Sequence, residues 1–151
     1  DIDALMTYMS GLVELKNWSV LNEKLPEYLI IHPEELFFKE IYIQSLFEMK
    51  LFKDLVQFVE NYPADFSYNI RFKIIMAYYR LGNIEGAYSM LTVPSIDYEY
   101  SYWLLALEIY MQIGDDEQVK SCIKRMYAVF PEKMKETKDK YNSLTQLFTL
   151  S

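Results

Sequence analysis

One cysteine, Cys122, and one histidine, His32, are all the sequence contains of the two side chains that most often serve as nucleophiles or transition-metal ligands. A lone thiol excludes an internal disulfide and a multi-cysteine zinc cluster, which points to a reducing, intracellular setting, nuclear or cytoplasmic. No Gly-rich phosphate loop, His-x-x-x-His pair or Cys-x-x-Cys occurs. No apolar run reaches the roughly 20 residues that cross a bilayer, and the N-terminus lacks the basic-then-apolar pattern of a secretory signal. With only 4 glycines and 5 prolines, the chain also lacks the composition of a disordered segment. These absences predict no cofactor, no metal, no membrane association and no enzymatic activity.

What the chain has is apolar side chains. They make up 52% of its 151 residues, with 17% aromatic, enough for one domain to bury a core. Charge is unevenly placed. Residues 1–117 carry 8 basic and 19 acidic side chains, whereas residues 118–151 carry 7 basic and 3 acidic. The acidic part repels phosphate, so no nucleic-acid partner is expected. The basic residues Lys120, Lys124, Arg125, Lys133, Lys135, Lys138 and Lys140 read as the solvated face of two helices. The chain opens at Asp1, without an initiator methionine and within what reads as a helix, as a piece of a longer protein would.

Helical periodicity runs through the sequence. Residues 2–15 place Leu5, Tyr8, Met9, Leu12 and Leu15 on one face, and Lys16-Asn17 interrupts them. Residues 18–31 resume with Leu21, Leu25, Tyr28 and Leu29 until His32-Pro33, with Pro26 expected to bend or shorten this helix. The same layout recurs in 34–49 and 52–62, broken at Lys50, and in 98–113 and 116–130, broken at Gly114. Between them, 71–91 forms a hairpin in which the face Ile74, Ile75, Tyr78, Leu81 stops at Gly82, Asn83 offers a cap, and a face with Ala87, Tyr88, Met90 and Leu91 begins. Residues 132–150, with Met134, Tyr141, Leu144 and Phe148 on one side, suit a single end helix.

The breaks at Lys16, Lys50, Gly82 and Gly114 are separated by 34, 32 and 32 residues. Five places beyond each stands an apolar residue of small to medium size, Leu21, Leu55, Ala87 and Val119, and proline closes every repeat. A constant period of this length with two helices per repeat marks units that bury their faces only against neighbours.

Here the chain resembles the tetratricopeptide-repeat (TPR) family. In the fourth repeat Trp103, Tyr110, Gly114, Val119 and Pro131 fall at the family's Trp, Tyr, Gly, Ala and Pro places, and in the third Ile74, Tyr78, Gly82 and Ala87 match. The first two repeats depart from the pattern, with lysine in place of the turn glycine. The resemblance implies an all-α, TPR-like superhelical solenoid of antiparallel helix pairs with a C-terminal capping helix. It would form a single domain, 1–151, with repeats at about 2–33, 34–63, 67–94 and 98–131 and an end helix at 132–150. The third repeat, Tyr78-Tyr79-Arg80-Leu81-Gly82 followed by Ala87-Tyr88-Ser89-Met90-Leu91, also looks like an N-terminal repeat of the scaffold subunits of the anaphase-promoting complex, a cell-cycle ubiquitin ligase, of the cell division cycle protein twenty-seven type. That likeness implies pairing of two copies.

Chemistry-bearing residues have structural readings. Cys122 and His32 belong to different repeats, whereas a cysteine nucleophile needs its imidazole alongside. Asp115-Asp116-Glu117 stands at a helix start, where carboxylates cap free N–H groups. What remains is surface recognition. In the family's geometry the first helix of each pair lines a concave groove, here Met6, Ser10 and Val13; Phe37, Glu40, Gln44, Phe47 and Glu48; Phe72, Met76, Tyr79 and Arg80; and Leu104, Glu108 and Met111. Such a groove lacks the Lys, Arg and Asn that grip an acidic C-terminal tail. It suits a protein or peptide partner, an amphipathic helix with basic residues, or a second copy of the chain in a homodimer. The competing reading has these side chains packing between adjacent repeats. Two functions follow: a scaffold that self-associates within a larger assembly, or a peptide-binding sensor or chaperone domain such as those of bacterial regulators and secretion systems.

Overall fold

A computed structural model describes residues 1–92, 94–95 and 97–140. Among these residues the chain is all-α, with nine helices and no strand. They are α1 (Ile2–Glu14), α2 (Trp18–Ile31), α3 (Leu36–Glu48), α4 (Phe52–Asn61), α5 (Tyr68–Arg80), α6 (Ile84–Met90), α7 (Tyr100–Ile113), α8 (Asp116–Val129) and α9 (Pro131–Lys140). No helix is long and apolar enough to cross a membrane among the described residues. The chain divides into two compact units, Asp1–Asn83 and Ile84–Ser151.

The turns between paired helices share one geometry. Lys16, Lys50, Gly82 and Gly114 all have left-handed backbone, with φ of 54°, 59°, 77° and 83°. At each, the following residue donates its N–H to the carbonyl five places earlier: Asn17 to Leu12, Leu51 to Leu46, Asn83 to Tyr78 and Asp115 to Tyr110, at 2.9–3.0 Å. This is the Schellman closure, which satisfies carbonyls that the helix end leaves open. The chain then re-enters a helix at once. Asn17 accepts from the Val20 N–H at 3.4 Å and Asp115 from the Gln118 N–H at 3.3 Å, so the residue that ends one helix caps the next.

Burial repeats with the turns. Seven places before each turn stand Met9, Ile43, Ile75 and Leu107; four before, Leu12, Leu46, Tyr78 and Tyr110; five after, Leu21, Leu55, Ala87 and Val119; all twelve are buried. In the N-terminal unit α1 packs on α2 and α3, α2 on α3, α3 on α4 and α5, and α4 on α5. Its first core cluster joins Met9, Leu12, Leu21, Leu25, Phe38 and Ile41. In the C-terminal unit α6 packs on α7, α7 on α8 and α8 on α9. Trp103 is fully buried there, and the Arg125 guanidinium lies 4.9 Å from its ring centre while donating to the Pro94 carbonyl at 2.7 Å. The Tyr100 hydroxyl shares a 2.6 Å hydrogen bond with Thr137 and holds α9.

Several expectations need correction. Pro26 does not shorten α2, which continues to Ile31 because Leu25, Tyr28 and Leu29 are anchored in the core; that packing outweighs the missing N–H, a loss of about 3 kcal/mol. Pro131 follows the end of α8, whose C-cap is Phe130, as expected, and it also opens α9, as suits the first position of a helix, where no N–H partner is needed. Leu15 and Leu81 leave the apolar faces they seemed to extend. They are 77% and 46% exposed, because the last turn of each helix swings into the left-handed residue that follows. Tyr8 is exposed as well. The hairpin helix begins at Tyr68, three residues before its first periodic position at Arg71. Of the expected end helix, Tyr141, Leu144 and Phe148 lie outside the described residues.

Candidate functional site

The thirteen candidate groove residues sit on the first helix of each pair, and none is in the buried core. Ten belong to the N-terminal unit: Met6 on α1; Phe37, Glu40, Gln44, Phe47 and Glu48 on α3; Phe72, Met76, Tyr79 and Arg80 on α5. Glu48 and Arg80 are exposed and the other eight half-buried. The C-terminal unit holds Leu104, Glu108 and Met111 on α7, with Glu108 exposed and the other two half-buried.

Several of these side chains already have structural work. Met6 and Phe37 pack against the core cluster of the N-terminal unit. Glu40 accepts from the Ser67 N–H at 2.7 Å. Ser67 is the N-cap of α5 and makes no side-chain cap, so Glu40 satisfies one of that helix's open donors from a distance. Phe47 lies 5.6 Å from Phe52 of α4, and the Lys73 ammonium of α5 stands 5.7 Å from its ring centre. Phe72 leans on Tyr68 at 6.2 Å. The face of α3 and α5 is thus apolar and aromatic, but less acidic than its sequence suggested. Glu40 is engaged, and Lys73, absent from the sequence reading, adds a cation. Its position one residue after Phe72 was the available signal.

The side chains considered for catalysis have local partners. Burial pushes the Cys122 thiol up to about 12, an effect that Arg125 only partly opposes, so the sulfur remains protonated at neutral pH. The His32 ring sits 5.8 Å from Phe38. Asp115 caps α8 and accepts from the Tyr88 hydroxyl at 2.8 Å. Among the described residues no group of three His, Cys, Asp or Glu side chains is placed to hold a metal ion. In the basic segment Lys120, Lys124, Lys133 and Lys135 are exposed, while Arg125 is occupied by Trp103 and Pro94.

Comparison with known proteins adds no family: the chain matches no family model, no curated protein and no solved structure.

Proposed function

We propose that the chain is a non-enzymatic protein-interaction module, a TPR-like solenoid acting as a scaffold. The observation that supports it best is the fourfold turn: four left-handed residues 34, 32 and 32 apart, each with the same hydrogen-bond closure and the same three buried positions around it. Units that close only against their neighbours leave their outer faces for partners. The half-buried row Phe72, Met76, Tyr79 on α5, with Gln44 and Phe47 on α3, is the surface assigned to an amphipathic helix, with the exposed Glu48 as the carboxylate that would meet a basic residue of it. A labelled Leu- and Arg-bearing amphipathic peptide should bind, and Phe72→Ala with Met76→Ala should weaken it tenfold or more by fluorescence anisotropy. Unchanged affinity removes this face as the partner site.

Self-association is the second part of the proposal, supported by the separation of an acidic 1–117 from a basic 118–151 with exposed Lys120, Lys124, Lys133 and Lys135. A two-fold pairing brings each copy's basic end to the other's acidic body. Sedimentation should show a dimer that weakens with salt; a monomer at micromolar concentration and physiological salt refutes it.

A further inference from the structure

A different surface of the N-terminal unit holds an apolar cleft of about 440 Å³ lined by Pro26, Leu29, Ile30, Pro33, Tyr42, Phe58 and Tyr62. At about 100° per helical residue, Tyr42 lies on the side of α3 away from Glu40 and Gln44, so the cleft is separate from the α3 and α5 face. Three of its lining rings touch one another. Tyr42 meets Phe58 edge-on at 4.8 Å, and Phe58 stacks on Tyr62 at 5.1 Å. Ile30 and Tyr62 stand open to solvent, 81% and 48% exposed.

We propose that this cleft binds a proline-rich segment of another protein, in the polyproline II conformation, with Arg or Lys at its end. Tyr42, Phe58 and Tyr62 give the cleft an aromatic lining, the kind of surface on which the pyrrolidine rings of such a ligand pack. A ligand already extended loses little conformational freedom on binding.

Charge selects the ends of the ligand. Two of the segments that line the cleft, 26–35 and 58–65, carry five carboxylates and no Lys or Arg; Glu60 is engaged by the Tyr78 hydroxyl, which leaves Glu27, Glu34, Glu35 and Asp65 against the single Lys39 one turn before Tyr42 on α3. Residues 1–151 of a second copy do not supply the ligand. Its five prolines, Pro26, Pro33, Pro63, Pro94 and Pro131, are too far apart to form any Pro-x-x-Pro segment.

The proposal rests on the interaction-module reading, and the test separates the two. The probe is a short labelled peptide with Pro-x-x-Pro spacing and a terminal Arg pair, titrated against the full chain by fluorescence anisotropy. Binding should weaken at least tenfold in Tyr62→Ala and severalfold in Glu34→Lys, both exposed positions, with helical circular dichroism unchanged. Replacing the probe's Arg pair by Glu should have a similar effect. The proposal is overturned if the wild-type chain does not bind the probe, if Tyr62→Ala binds as well as wild type, or if the Glu probe binds equally. Binding of the amphipathic Leu and Arg peptide alone, lost in Phe72→Ala with Met76→Ala, would leave the module reading standing and remove the cleft. Loss of self-association in Tyr62→Ala would show a second copy as the occupant, and also overturns it.

Discussion

The first two hairpins and the last two reach the same turn by different residues. Around Lys16 and Lys50 the buried positions four before and five after the turn are leucines, Leu12 with Leu21 and Leu46 with Leu55. Around Gly82 and Gly114 they are Tyr78 with Ala87 and Tyr110 with Val119. Where the earlier side chain is large the later one is small, and where both are medium the turn residue is lysine instead of glycine. The repeat therefore conserves a backbone closure and a packed volume, not a set of residues. That also explains why a motif written in residues fits the last two repeats and only loosely the first two.

The largest expected effect comes from removing volume where the later position is large. Leu55 is fully buried, so Leu55→Ala should cost about 3 kcal/mol in urea unfolding. In the glycine-turned hairpins that position is smaller, and there Val119→Ala, which removes one carbon fewer, should cost less, about 2 kcal/mol by the same measurement. Equal losses at the two sites would break the comparison.

Next in size is the turn itself. A Cβ at Gly114 would meet nothing within 4 Å, so any penalty there comes from φ alone. Gly114→Val should cost about 2 kcal/mol, because a branched side chain is poorly tolerated in left-handed backbone. Gly82→Lys should cost clearly less, since Lys16 and Lys50 already occupy that conformation. A thermal melt of each variant separates the cases.

These positions also show how much was legible in the sequence. The four breaks and the four residues five places on were readable from spacing, because helical period and the interruption of an apolar face are local properties. The exposure of Leu15 and Leu81 was not. Both fit the apolar stripe by number, and only the left-handed residue next to each turns it outward. The long-range cap from Glu40 to Ser67 was equally hidden, since two residues 27 apart carry no mutual signal. The cleft at Ile30 and Tyr62 left a faint trace. Ile30-Ile31 lies beyond the core-facing stripe of α2 and ends at a proline turn, an apolar pair with nothing in its own helix to cover it.

A smaller effect is expected at high pH, to which the tyrosine-bearing hairpins contribute alongside Tyr42 and Cys122, both raised by burial. Burial first, with Cys122 and Tyr102 adding to it, pushes the Tyr110 phenol from 10.0 up to about 12. A group whose pKa is raised on folding contributes stability that is complete below its unfolded value and is lost as pH climbs through the folded one. Stability should therefore fall between about pH 10 and 12, and Tyr110→Phe should flatten part of that fall. Burial and Glu60, which accepts from the Tyr78 hydroxyl at 3.2 Å, raise Tyr78 in the same direction. The residual slope in the Tyr110→Phe variant should accordingly diminish when Tyr78→Phe is added.

The smallest effect is the most discriminating. If lysine at the turn is only tolerated, then Lys50→Gly should stabilise the chain, because glycine enters left-handed backbone without the Cβ clash. The gain is limited by the extra freedom glycine gives the unfolded chain, which leaves a net of about 0.5 kcal/mol. A gain of that size, read from the urea midpoint with an unchanged slope, means the four turns are equivalent and the lysines carry strain. A loss means the Lys50 side chain makes an interaction that glycine lacks, and the two kinds of hairpin differ in more than packing volume.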